Sequence, residues 1–159
     1  MNNKIVVILS FFIVIAGMSA AAAFDFNDLS NSLLGAQKET VAIDGINFTI
    51  PDGFTEVENE TYDNQVLDNP YIDVNISSKA YANASGEVMI LSVSSSNVTA
   101  NTTFAEDAAG ADGNKTTING IEGYTSVDDE FNSFSYAKDG KLVIVSSTDK
   151  ELIDDFVVA

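Results

Sequence analysis

The chain contains no cysteine, no histidine and no arginine. Without cysteine there is no disulfide, iron–sulfur cluster or thiolate nucleophile, and without histidine nearly every zinc or copper site disappears as well. Catalytic triads and acid–base schemes built on imidazole are excluded for the same reason. The seven basic residues are all lysine and face 24 acids, for a net charge of −17. Nucleic acid, whose binding needs clustered basic side chains to displace counterions, is therefore not an expected partner. An anionic membrane surface is disfavoured in the same way. Missing cysteine does not fix the compartment, because many exported domains fold without disulfides.

What is present fits one domain and a leader. The 159 residues are 45% hydrophobic, enough for a normal core despite the charge. Residues 1–23 have the form of a targeting segment. Lys4 is its positive start, Ile5 to Ala16 is apolar apart from Ser10, and Ala21-Ala22-Ala23 offers a cleavage site before Phe24. Ile5 to Phe24 is also just long enough to span a bilayer. The segment thus reads either as a cleaved signal peptide or as a retained anchor, and the rest lies outside the membrane in both cases. Removing Lys4 leaves six lysines against 24 acids, a charge of −18.

Residues 24–40 read as a spacer or a short amphipathic helix, with Phe26, Leu29 and Leu33 on one face. From residue 41 to 159 the pattern is that of an extracytoplasmic α+β domain. Val41 and Ile43, then Asp44-Gly45, then Ile46, Phe48 and Ile50 predict a hairpin. Glu56 to Asn69 is acidic and aperiodic and reads as an exposed loop. Tyr71 to Ala82 predicts a strand with Ile72, Val74 and Ile76 inward, and Val88 to Val93 another. Thr103 to Glu106 has the form of a capping box and predicts a short helix. Asp112 to Lys115 reads as a loop, and Thr117 to Val127 as one strand with Gly120 and Gly123 as bends or bulges. Phe131 to Ser147 is the organising stretch. Asp139-Gly140 joins two strand-like runs, and the second, Lys141 to Val145, is continuous enough to be covered on both faces. A second capping box at Thr148 to Glu151 starts a C-terminal helix carrying Leu152, Ile153, Phe156 and Val157. The expected fold is a single α+β domain. Its antiparallel sheet has about five to seven strands, with one or two helices packed on it and an N-terminal apolar helix ahead of it.

The leader, IDGINFTIPDGF, INGIEGY and FSYAKDGKLVIVSSTDKELIDDF together resemble small, mostly uncharacterised exported surface proteins of methanogenic archaea. A looser likeness, in a strand that ends in Pro-Asp-Gly and leads an antiparallel sheet, is to the PsbP/Mog1-like fold. The shared motifs are turns and strands, so the resemblance implies a surface location and carries no chemistry.

Seven N-x-Ser/Thr acceptors supply the clearest functional signal: Asn47, Asn59, Asn75, Asn83, Asn97, Asn101 and Asn114. From the content of Asn, Ser and Thr, chance predicts about 2.5. Asn47 lies between Ile46 and Phe48, and Asn75 between Val74 and Ile76, so both should face solvent if their neighbours face the core. The competing explanation is that a polar, Asn-rich surface makes such triplets by accident. Other clusters point to less. Asp68 to Asp73 and Asp128-Asp129-Glu130 lack the spacing of a calcium loop and read as solvated faces. Ser147 to Lys150 matches S-x-x-K but lacks the companion motifs of penicillin-binding proteins. Phe48, Tyr71, Tyr81, Tyr124, Phe134 and Tyr136 read as core or cross-strand packing before a ligand groove. A hydrolase using carboxylates alone would need two of them facing each other in a cleft, about 5 to 9.5 Å apart.

No catalytic residue, cofactor or metal ligand emerges. The sequence points to a non-enzymatic exported cell-surface protein, N-glycosylated, secreted or held at the membrane by its N-terminal segment. The alternative is an extracytoplasmic binding module for a small ligand, a cation or a partner protein.

Overall fold

The computed structural model describes residues 39–58, 61–67, 73–128 and 131–157. The leader and nearly all of residues 24–40 lie outside these, and with them the expected apolar and amphipathic helices. No helix among the described residues is long and apolar enough to cross a membrane.

Among the described residues, ten strands and two helices follow in the order β1 (Glu39–Ile43), β2 (Ile46–Ile50), β3 (Thr55–Glu56), β4 (Tyr62–Leu67), β5 (Val74–Asn83), β6 (Gly86–Ser94), α1 (Thr102–Ala109), β7 (Asn114–Ile118), β8 (Ile121–Asp128), β9 (Phe131–Lys138), β10 (Lys141–Ser147) and α2 (Lys150–Phe156). Eight strands form one sheet in the order β3-β5-β6-β10-β9-β8-β7, with β4 also paired to β5. All of these pairings are antiparallel. β1 and β2 form a separate hairpin. The architecture is that of one α+β domain, with a sheet larger than the five to seven strands expected.

β10 shows why the sheet holds together. It lies between β6 and β9, and Leu142, Val143, Ile144 and Val145 are all buried. Its two faces belong to two different cores. Val143 and Val145 join Val88, Ile90, Phe134 and Tyr136 against Ile43, Ile46, Phe48 and Ile50 of the β1–β2 hairpin and Ile153 and Phe156 of α2. Leu142 and Ile144 join Val74, Ile76, Leu91 and Tyr124 against Ala105 and Ala109 of α1. Each fully buried Val, Ile or Phe side chain contributes about 1.5–3 kcal/mol relative to exposure, so both covers are needed to make β10 the interior strand it is. On the first face the Phe134 and Tyr136 rings stack with centroids 5.4 Å apart, and Phe54 meets Phe156 edge-on at 4.9 Å.

Polar contacts fix the covers in place. Lys141 of β10 donates to the Asp44 carbonyl in the β1–β2 turn and pairs with its carboxylate at 3.0 Å. The buried Ser92 hydroxyl donates to the same carboxylate at 3.2 Å. Across the sheet, the Tyr124 hydroxyl reaches Glu106 of α1 at 3.3 Å. Burial first, and the Glu106 charge second, push the Tyr124 phenol up.

Several expectations need correction. Thr117 to Val127 is two strands and not one. Asn119 and Gly120 take φ of 51° and 82°, closely matching Asp44-Gly45 (49° and 76°) and Asp139-Gly140 (51° and 75°). All three are tight hairpin turns with positive φ at both central residues. Residues 114 and 115, read as loop, begin β7. Gly123 is neither bend nor bulge. A Cβ there would lie 2.4 Å from the Ser135 carbonyl oxygen and 2.6 Å from the Phe134 ring, so the residue is small because a neighbouring strand and ring press on it. Glu56 to Leu67, read as loop, supplies part of β3 and all of β4. β4 gave no signal because four of its six residues are exposed and Asn64, at φ 47°, sits in a register shift between Tyr62 and Gln65. Glu39 and Thr40, placed in the spacer, belong to β1, and the strand expected from Tyr71 runs from Val74 to Asn83; Tyr71 and Ile72 lie outside the described residues.

Both helices exist, but their caps shift. α1 is capped by Asn101, whose side chain accepts the Thr103 N–H, and not by Thr103. α2 is capped by Asp149, which accepts the Glu151 N–H, and not by Thr148. Asn and Asp outrank Thr as N-caps, which explains both shifts. Thr148 instead accepts the Glu87 N–H at 3.2 Å, tying the helix start to β6.

Candidate glycosylation surface

Of the seven candidate acceptors, six fall on described residues and none of the six is buried; Asn59 lies outside them. Asn47, Asn97, Asn101 and Asn114 are exposed, and Asn75 and Asn83 are partly so. In β2 the alternation is strict: Ile46, Phe48 and Ile50 are buried and Asn47 between them is exposed. In β5, Val74 and Ile76 are buried toward α1, and Asn75 points to the opposite face, where Val66 of β4 lies beside it.

The six asparagines do different local work. Asn83 ends β5, and its Oδ1 accepts the N–H groups of Ser85 at 2.7 Å and Gly86 at 3.2 Å, closing the β5–β6 turn. Asn101 caps α1 through Oδ1. Asn97 takes the Ser95 hydroxyl at 2.8 Å, also on Oδ1. Asn114 instead uses Nδ2, donating to the Asp112 carbonyl at 3.1 Å. A glycan attaches at Nδ2 and leaves Oδ1 in place, so the turn at Asn83 and the cap at Asn101 are compatible with an attached sugar. Turn and cap chemistry also accounts for the presence of these two asparagines without any glycan, a contribution the triplet count alone did not separate.

The other candidates resolve into structure. Ser147 is buried, donates to the Glu87 carbonyl at 2.8 Å and accepts the Asp149 N–H at 3.1 Å, so both sides of its hydroxyl are engaged. Phe48, Tyr81, Tyr124, Phe134 and Tyr136 are core residues. Asp73 accepts a hydrogen bond from Ser96, and the rest of the Asp68 to Asp73 cluster lies outside the described residues. The same holds for Asp129 and Glu130. Among the described residues no group of three or more His, Cys, Asp or Glu side chains could hold a metal ion, and the buried polar residues are all serines.

Lys79 pairs with Glu56, Lys115 with Glu122 and Lys141 with Asp44. Burial alone would raise the Glu56 carboxyl. Hydrogen bonds from Lys79 and Thr61, with the Lys79 charge, outweigh it and hold Glu56 below its ordinary 4.5.

Asn119, outside any acceptor triplet, has the role that sequence reading missed. Its Nδ2 donates to the carbonyls of Asp154 at 2.7 Å and Val157 at 2.9 Å, so the β7–β8 turn closes the end of α2. The Asn-Gly pair is a hairpin signal that the one-strand reading of Thr117 to Val127 passed over; the helix contact, 35 residues away, had no local signal.

No family's sequence profile, no curated protein and no solved structure matches the chain. None of these comparisons supports the resemblance to exported proteins of methanogenic archaea or to the PsbP/Mog1-like fold.

Proposed function

We propose that this chain is a non-enzymatic component of the cell surface, exported by its leader, whose domain lies outside the membrane and carries N-linked glycans. The observation that supports it most is the placement of the acceptors: seven triplets in the sequence, and no buried asparagine among the six described. A glycan needs an asparagine that reaches solvent on an exported chain. The absence of cysteine, histidine and arginine, and the strong acidity, agree with a soluble surface layer and leave carboxylates, hydroxyls and lysine amines as the side chains with catalytic potential. A sugar standing on the sheet or at its edge would also hinder edge-to-edge association of neighbouring domains.

The test is the intact mass of the chain recovered from its own cells, before and after deglycosylation. The reading expects a mass above that of the polypeptide which deglycosylation removes, on a chain fractionating with membranes or medium. A bare polypeptide mass, or recovery from the cytoplasm, would contradict it.

A further inference from the structure

The acceptors differ in what folding does to the two groups a glycosylating enzyme reads, the Asn carboxamide and the hydroxyl two residues on. Asn97 lies in the connection between β6 and α1, where no strand or helix forms, and both Asn97 and Thr99 are exposed. The segment is pinned on both sides of the triplet, by the Ser96 hydroxyl donating to Asp73 at 3.0 Å and the Ala100 N–H donating to the Gly140 carbonyl at 2.7 Å, while the Asn97 N–H makes a local bond to the Ser95 hydroxyl at 3.4 Å. The Ser95 contact engages Oδ1 and not the nitrogen that would carry the sugar.

Asn75 is the opposite case. β5 is held between β4 and β6, so Asn75 pairs with Val66 on one side and Ser94 on the other. Its acceptor hydroxyl, Ser77, is 3% exposed and accepts the Asn64 N–H at 3.1 Å. An enzyme cannot grip this triplet as an extended peptide unless β4 first leaves the sheet.

We propose that folding sorts the acceptors by time: Asn97 remains a substrate in the folded domain, whereas Asn75 accepts a glycan only before β4 docks. The proposal rests on the glycoprotein reading and adds an order of events to it. The chemistry is the same at both sites. Asn Nδ2 forms a bond to the anomeric carbon of an oligosaccharide carried on a polyprenyl phosphate or pyrophosphate. The bond from that carbon to the phosphate oxygen breaks, its electron pair leaves on the phosphate, and one amide proton passes to a base on the transferase.

The test uses two full-length chains made without glycans, the native sequence and the double variant Val143→Asp/Val145→Asp. Both valines are fully buried, and two unpaired carboxylates there should unfold the domain; circular dichroism verifies that one chain is folded and the other is not. Each is incubated with membranes holding an N-glycosylating transferase and its lipid-linked donor, and occupancy is read by mass spectrometry of the peptides. Asn97 should be modified in both chains. Asn75 should be modified in the unfolded chain and fall by more than about tenfold in the folded one, since access then requires local opening. Equal occupancy of Asn75 in both, or loss of Asn97 on folding, overturns the sorting while leaving the glycoprotein reading in place. Modification of neither site in the unfolded chain overturns both.

Discussion

β10 and β4 lie in one sheet, and they differ in nearly every respect that matters. β10 has a strand on each side and a hydrophobic core on each face, and its central residues are closed to water. Among the described residues β4 pairs with β5 alone; it carries a register shift and leaves Val66 69% exposed. The comparison shows where this fold keeps its stability, and which parts of the chain can change without cost. Substitutions that contrast the two regions test it directly.

The largest effect is expected at Phe134, buried beside β10 and stacked on Tyr136. Phe134→Ala should cost about 3–5 kcal/mol in urea unfolding, through lost burial and a residual cavity. Next is Gly123. A methyl group there has no room against the backbone of Ser135, so Gly123→Ala should cost about 1–3 kcal/mol by overpacking.

These two residues also show how far the sequence could be read. The run Lys141 to Val145 and the Asp-Gly pairs were legible because burial on both faces and positive φ each demand particular residues. β4 was not legible because an edge strand open to water imposes no alternation. Gly123 looked like a bulge because a close approach by a neighbouring strand leaves no local trace. The caps at Asn101 and Asp149 were displaced from expectation because Thr103 and Thr148 satisfy the same motif. The acceptor triplets were legible as a count, but not the double role of Asn83 and Asn101 as turn and cap.

Asn119→Ala should cost roughly 1–2 kcal/mol, from two lost hydrogen bonds to α2 and a strained turn. Asn119→Gly restores the turn but not the bonds and should recover part of that loss, as thermal unfolding would show.

A smaller effect belongs to Glu56 and Lys79, which join β3 to β5 at the open side of the sheet. The pair is part-exposed, so Glu56→Gln should cost about 0.5 kcal/mol at neutral pH. The Glu56 carboxyl is held below its ordinary value. Its contribution is therefore present above pH 4.5 and lost as the pH falls through the folded value. The stability difference between wild type and Glu56→Gln should shrink below pH 4.5; a difference growing with acid would contradict the assignment. The smallest effect is at Val66, where Val66→Thr should stay within about 0.5 kcal/mol. A loss comparable to that of Phe134→Ala would mean that β4 is covered after all.

The central claim, that this surface carries sugar, is tested most directly by site-resolved glycopeptide mapping of the chain purified from its own cells. The account predicts glycans on several of Asn47, Asn59, Asn75, Asn83, Asn97, Asn101 and Asn114, with Asn97 among them. Seven unmodified asparagines in native material would contradict it.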